Sequence, residues 1–481
     1  QAHGIWLAGA VLLAMLWIVS TQLFSFVQFF YASVLLAISI QSYLSWRRER
    51  NIRIPAWAFV CAAHFVFYGL AIFGALRESP SIFDHGSDLP EPVITEAMLL
   101  GIVGLLSMWA GRTMVMHFAK GKSLRLSFVE MNITTPVRIH ALLVLGIATN
   151  VFGVPFFGTV LWNVSVVAFN TLPLAAFLWL AIARRVRGLN QLDWLLALAF
   201  LATRVISGAR FNASLGTIVV PLLLIGVADI SLNRKLSWKM IALAACMIVF
   251  LQPGKGAIRR EMNRGRVGEG MTDALAKWAD VSVSGWSDVF AGRTPLAEQL
   301  SATASRSSLL TMTGLILEKT PERVPYQLGT EYPLLVENLI PRVLWPEKPS
   351  VNVANQFFQV QYGLTDVRHL QQVSIACGFE AEGYMNFGWA GVLAVGFLVG
   401  AALGIYELAF FPAGGGLTAA AIGLALLPGF LMIESQLVQY LGGILQLVFA
   451  AGIVFHQSKD KRSSGTRGAP ARRVSGAVFA L

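Results

Sequence analysis

The chain has 481 residues, of which 56% are hydrophobic and only 13% charged, about half the charged share of an ordinary soluble domain. That pairing excludes a soluble enzyme, a disordered chain and a fibre, and points to a polytopic membrane protein. The formal net charge of +11 would suggest nucleic-acid binding in a soluble protein; here the placement of the charges comes first, because loop charge sets topology.

A spanning helix needs about 20 mostly apolar residues. The sequence predicts twelve, near 4–22, 24–46, 55–77, 94–117, 137–154, 158–183, 192–208, 212–232, 238–252, 388–411, 416–433 and 435–456. Gly153, Pro155 and Gly158 mark the turn inside the fifth and sixth. Alternate connections are basic: Arg47, Arg48, Arg50 and Arg53; Lys120, Lys122 and Arg125; Arg184, Arg185 and Arg187; Arg234, Lys235 and Lys239; then the tail from Lys459. The positive-inside rule places these loops, and both termini, in the cytoplasm.

Residues 253–387 break the alternation. This polar stretch carries 13 Lys and Arg against 14 Asp and Glu, and long translocated segments escape the charge rule. Its aromatic residues, among them Trp278, Tyr326, Trp345 and Phe358, give it a core and argue against disorder. Helical apolar spacing is expected over 270–283 and 296–318, and a further short helix over 350–362. Six prolines keep 321–349 from being one helix, and 371–387 is expected to run directly into the next span. The expected fold class is therefore all-α: a transmembrane bundle (1–252), a large, mainly helical loop on the outer side (253–387), three last spans (388–456) and a basic, disordered tail (457–481).

Three cysteines are too few for a disulfide framework. No HExxH, Walker, GxGxxG, paired CxxC or EF-hand pattern occurs, so metal and nucleotide chemistry has no support and no cofactor is expected. The informative residues are ionic and lie at the outer face. Lys255, Arg259 and Arg260 follow the ninth span. They form either a grip for a lipid phosphate, for which the arginine fork is suited, or a patch that only meets headgroups. Arg204 and Arg210 sit at the outer end of the seventh span; an ionisable residue there is a functional candidate, with snorkelling as the alternative. Arg306 borders an apolar stripe, as a site residue or a surface ion pair.

The run Ile340-Pro-Arg-Val-Leu-Trp-Pro-Glu-Lys-Pro349 fixes the backbone around Arg342 and Lys348, which lowers the entropy lost on engaging a ligand. Trp345 offers a sugar-stacking face or an interfacial anchor. Gly378-Phe-Glu-Ala-Glu-Gly-Tyr-Met-Asn-Phe-Gly388 carries Glu380, Glu382, Tyr384 and Asn386 at the entry to the tenth span. Two residues apart on a helix, the carboxylates point different ways, so one of them faces a given site. A carboxylate at a low-dielectric boundary serves as a base or neutralises nearby arginines. His369 is a further base candidate or a plain surface residue.

With Lys255/Arg259, Gly329-Thr-Glu-Tyr332, the Pro-Arg…Trp-Pro…Lys-Pro run, Glu382-Gly-Tyr-Met-Asn-Phe-Gly388 and Ser207-Gly-Ala-Arg210, the stretch from 200 to 390 resembles the Wzy-type O-antigen and oligosaccharide repeat-unit polymerases. The resemblance implies a metal-independent membrane glycosyltransferase of the GT-C class in the bacterial inner membrane, with a periplasmic active site. Its partners would be undecaprenyl-diphosphate-linked glycans, membrane lipids and a chain-length-regulating membrane protein, with no nucleic acid. An acceptor hydroxyl would attack the anomeric carbon, and undecaprenyl diphosphate would leave. On this view Glu382, Arg342 and Arg259 are catalytic. Arg204, Arg210, Lys255, Arg260, Arg306, Trp345, Lys348, Tyr384 and Asn386 bind diphosphate or sugar. The rivals are an O-antigen ligase with His369 as base, a lipid or polysaccharide transporter, and a membrane cysteine protease using Cys377. A transporter would need discontinuous paired spans and charge at the midplane.

Overall fold

The computed structural model describes residues 2–20, 25–49, 52–72, 89–119, 136–155, 165–212, 215–233, 238–263, 272–295, 309–337, 340, 344–349, 352–370, 375–412, 415–442, 444 and 448. Among these the protein is all-helical, and its one β feature is an isolated bridge between Ile52 and Pro412. In chain order the helices are α1 (Ala2–Ser20), α2 (Phe26–Arg48), α3 (Ala56–His64, continued by a π-turn Phe65–Leu70), α4 (Glu91–Phe118) and α5 (Val137–Phe152). Then come α6 (Leu172–Arg187), α7 (Gln191–Ser207), α8 (Leu215–Asn233) and α9 (Trp238–Asn263). The loop region contributes α10 (Asp273–Phe290), α11 (Leu310–Lys319), α12 (Pro333–Glu337) and α13 (Val353–Gln361), followed by α14 (Phe379–Phe410) and α15 (Leu417–Leu431).

Four helical runs, Phe26–Arg48, Glu91–Phe118, Gln191–Phe211 and Phe379–Phe410, are long and apolar enough to cross a membrane. Shorter apolar helices include Ala56–Leu70, Val137–Phe152 and Leu417–Leu431. The tightest pairing is α4 on α14, and small residues explain it. Gly396, Gly400 and Gly404 recur every four residues along α14, one face of a helix. A Cβ on Gly400 would strike the Met108 carbonyl, and one on Gly111 would strike that of Phe397. Without such side chains the backbones approach closely, the usual device where lipid supplies no hydrophobic drive.

Two sequence expectations are corrected here. The ninth span was expected to stop at 252, before Pro253, yet α9 continues to Asn263. Proline lacks an N–H and disturbs the carbonyls of the preceding turn. Two indoles of α10 donate there instead, Trp278 to Leu251 O (2.7 Å) and Trp286 to Phe250 O (3.2 Å). The second correction is that 371–387 does not run straight into the next span. Phe387 (φ −141°) and Gly388 (φ 62°) are non-helical and split α14. Residues 379–386 form a half-helix that doubles back on the rest: a Cβ on Gly383 would lie 2.7 Å from the Gly391 carbonyl. Of the expected loop helices, 270–283 corresponds to α10 and 350–362 to α13. Over 296–318 the helix begins at Leu310, residues 296–308 lying outside the described part.

A turn follows α15, where the sequence reading ends one span at 433 and opens the next at 435. After α15 the backbone is non-helical over 432–436 and resumes at 437. Gly378 N–H donates to Glu434 O at 2.8 Å, so the start of the half-helix meets this turn directly.

Candidate functional site

The half-helix presents its two carboxylates to different neighbours, as a spacing of two requires. Glu380 faces α3 and α4: a Cβ at Gly104, midway along α4, would lie 2.6 Å from Glu380 Cγ. Its Oε1 is 2.6 Å from His64 Nε2, and both side chains are fully buried. His64 Nδ1 lies 2.8 Å from the Val60 carbonyl, which only accepts, so Nδ1 carries a hydrogen. The short Nε2–Oε1 contact then holds one further proton, whichever atom bears it. Glu380 Oε2, Tyr68 Oη and Thr313 Oγ1 are buried with no hydrogen-bond partner among the described residues.

Glu382 faces the other way, toward the turn after α15. Its Oε2 accepts Leu437 N–H at 2.5 Å, at the start of the helix that resumes at 437, where backbone N–H groups favour an anion. Its Oε1 is buried and unpartnered among the described residues.

The kink leaves carbonyls of the half-helix's last turn without helical partners. The loop 327–329 supplies the donors: Gln327 N to Met385 O (3.1 Å), Leu328 N to Asn386 O (3.2 Å) and Gly329 N to Asn386 Oδ1 (2.8 Å). Asn386 Nδ2 donates to Glu382 O at 2.9 Å, so both polar atoms of this side chain hold the fold. The latch carries Glu331 and Tyr332 close to Glu382. Glu331 is buried, and neither of its oxygens has a hydrogen-bond partner among the described residues; burial pushes its carboxyl up to about 7. Burial first, then the Glu382 and Glu331 charges, hold the Tyr332 phenol well above its ordinary range.

Beside this cluster opens a groove of about 730 Å3, walled by aliphatic side chains of α6, α8 and α15 such as Leu174, Leu224, Val227 and Leu427. Arg204 and Glu434 are its charged lining residues. Arg204 hydrogen-bonds Asn170 Oδ1, and its Nε is buried without a partner among the described residues. Burial raises the Glu434 carboxyl above the usual range, and the Lys255 ammonium opposes that shift. Lys255 thus lies near Glu434, and Arg204 is the cation that lines the groove itself. Glu434 lies three residues before Leu437, the donor to Glu382.

The other described candidates make contacts of their own. Arg210 stacks over the Phe211 ring at 5.2 Å. Trp345 is partly exposed, whereas Lys348 is buried and donates to Ile340 O at 2.8 Å. Tyr384 packs its ring edgewise on Trp389 (5.8 Å). Arg306 and Arg342 lie outside the described residues; Arg259 and Arg260 lie on α9, where their backbone alone is described. Cys377 is buried. The residues sequence reasoning passed over are His64, Glu331, Glu434 and the buried pair Arg112–Glu407 (2.7 Å). His64, Arg112 and Glu407 are ionisable residues within apolar runs, the signal that marks functional candidates in spans.

No curated protein and no solved structure matches the chain. A family model does match, over residues 54–408, a stretch that holds His64, Arg112, Arg204, Glu331, Glu382 and Glu407. The chain belongs to the family described as Domain of unknown function (DUF8712).

Proposed function

We propose that the protein is a membrane glycosyltransferase that polymerises undecaprenyl-diphosphate-linked repeat units at the periplasmic face of the bacterial inner membrane, within a twelve-span bundle. The observation that carries this reading is an apolar groove lined by Arg204 and Glu434, with Glu434 three residues before Leu437, whose N–H meets Glu382. A polyprenyl diphosphate is an apolar chain ending in a charged group, and groove and cation match those two parts. In the transfer, an acceptor hydroxyl bonds to the donor's anomeric carbon while the bond from that carbon to the diphosphate oxygen breaks. The hydroxyl proton passes to Glu382 Oε1. Charge that develops on the leaving diphosphate is met by Arg204 and Lys255, joined by Arg210, Arg259, Arg260, Arg306 and Arg342; preorganised cations serve this purpose in a low-dielectric site.

Deleting the gene and displaying the surface polysaccharide on a gel tests the reading. Core plus one repeat unit is expected, and Glu382→Gln or Arg204→Ala should reproduce it; normal ladders from the deletion and both variants refute the proposal. Bare core with lipid-linked polymer accumulating would instead favour a ligase.

One observation favours a transporter as the second reading. α14 is broken at Phe387 and Gly388, and His64–Glu380 lies midway along α4; transporters place ionisable pairs and broken helices there. Absence of all external glycan product in the deletion strain would support it.

A further inference from the structure

A second cavity, of about 610 Å3, opens toward the other end of α14. Trp6, Trp46, Trp57 and Trp109 line it, with Arg112 and Glu407. Glu407 is 1% exposed and fully matched: Oε1 accepts Trp57 N–H at 2.9 Å and Oε2 accepts Arg112 Nε at 2.7 Å. The guanidinium also lies over the Trp57 ring, 5.8 Å from its centroid. Two contacts therefore fix the plane of Arg112 while using one of its five N–H groups. The four on Nη1 and Nη2 have no hydrogen bond among the described residues, and they belong to a side chain lining the cavity.

The position along the helix says what such a fork would meet. Arg112 lies about 11 Å along the axis from the midpoint of α4, and the hydrocarbon half-thickness of a bilayer is about 15 Å. A side chain of this length reaches from there to the phosphate level. The cavity wall is open to the bilayer: Leu106 and Trp109, both about half exposed, line it. Arg47 and Arg48 close α2 beside it. Ser42 and Ser45 line the α2 side, as does Glu49, which follows Arg48.

We propose that this cavity binds an anionic phospholipid of the surrounding bilayer, its phosphate held by the Nη1–Nη2 edge of Arg112 and its chains lying along Leu106 and Trp109. Phosphate supplies paired acceptors at the spacing of the guanidinium fork, and the indoles suit the interfacial part of a lipid. This site is separate from the groove at Glu434 and does not depend on the glycosyltransferase reading.

The full-length protein in nanodiscs of mixed phosphatidylglycerol and phosphatidylethanolamine, released into native mass spectrometry, tests it. Wild type should retain phosphatidylglycerol, and Arg112→Gln should lower the retained fraction at least fivefold. Ser45→Trp fills the cavity and leaves the Arg112–Glu407 pair in place; it should give the same loss and serves if Arg112→Gln fails to fold. Millimolar inorganic phosphate should not displace the lipid. Equal retention by wild type and the folded variants overturns the proposal, and so does displacement by inorganic phosphate, the mark of a soluble-anion site.

Discussion

The two ends of α14 solve the problem of buried charge in opposite ways. Toward Phe410, Glu407 has a donor on each oxygen, and the unspent capacity is on the cation, whose amino groups have no acceptor among the described residues. Toward Phe379, Glu382 and Glu331 keep oxygens without donors among the described residues. An unmatched polar group in a low-dielectric interior costs about 1–3 kcal/mol. What packing leaves unmatched therefore indicates what a ligand would bring: acceptors to the Arg112 end, hydroxyl donors to the Glu331–Glu382 end. The matched carboxylate belongs to the architecture and the unmatched ones to chemistry.

The largest test of that contrast is Glu382→Gln, nearly isosteric. Polymer formation should fall about 10²- to 10⁴-fold, the usual contribution of a positioned base, with little change in melting temperature in detergent. Near-normal polymer length and yield would remove Glu382 from the chemistry. At the matched end the effect should be on stability instead. Glu407→Ala leaves the part-buried Arg112 guanidinium and the Trp57 backbone N–H without their acceptor and should cost about 1–3 kcal/mol, seen as a lower midpoint of thermal unfolding. The double variant Arg112→Met/Glu407→Leu should recover most of it; no recovery would mean that the pair is more than packing.

Glu331 sharpens the contrast through pH. Its folded carboxyl sits at about 7, above an ordinary 4.5, so the folded state holds the proton longer than the unfolded one. Stability is then greatest below about pH 4.5, falls as pH rises toward 7 and levels off above, by at most about 3 kcal/mol. Melting from pH 4 to 9 should follow that slope in wild type and lose it in Glu331→Gln. The smallest effect is expected at the latch. Asn386→Ala removes the acceptor of Gly329 N–H and should cost about 1–2 kcal/mol, with faster hydrogen exchange at Gly329 as its local signature.

Helices were legible in the sequence because long apolar runs declare themselves one residue at a time. Pro253 misled because a proline reads as a stop, whereas the donors that let α9 pass it come from Trp278 and Trp286, some 25–35 residues away. The span expected from Gly388 does begin at the break there; what the sequence hid is the doubling back of 379–386, which rests on Gly383 meeting Gly391 in space. At the site, Glu382 and the Gly329–Tyr332 loop were visible as motifs. Their joining through Asn386 was not, since an asparagine's partners are set by the tertiary fold. His64 and Arg112 lay hidden in apolar runs whose hydrophobic neighbours dominated the reading.

The half-helix is bounded by Gly378 (φ 85°) and Gly388 (φ 62°), two residues free to pivot where others would be strained. Between these joints the backbone is stiff, with Glu380 on one side and Glu382 on the other. Whatever turns Glu380 away from His64 must swing Glu382 on its far side, and the 327–329 loop hydrogen-bonded to its end travels too. The segment is one short lever with a carboxylate on each face, so neither side chain can be repositioned alone by a change of backbone.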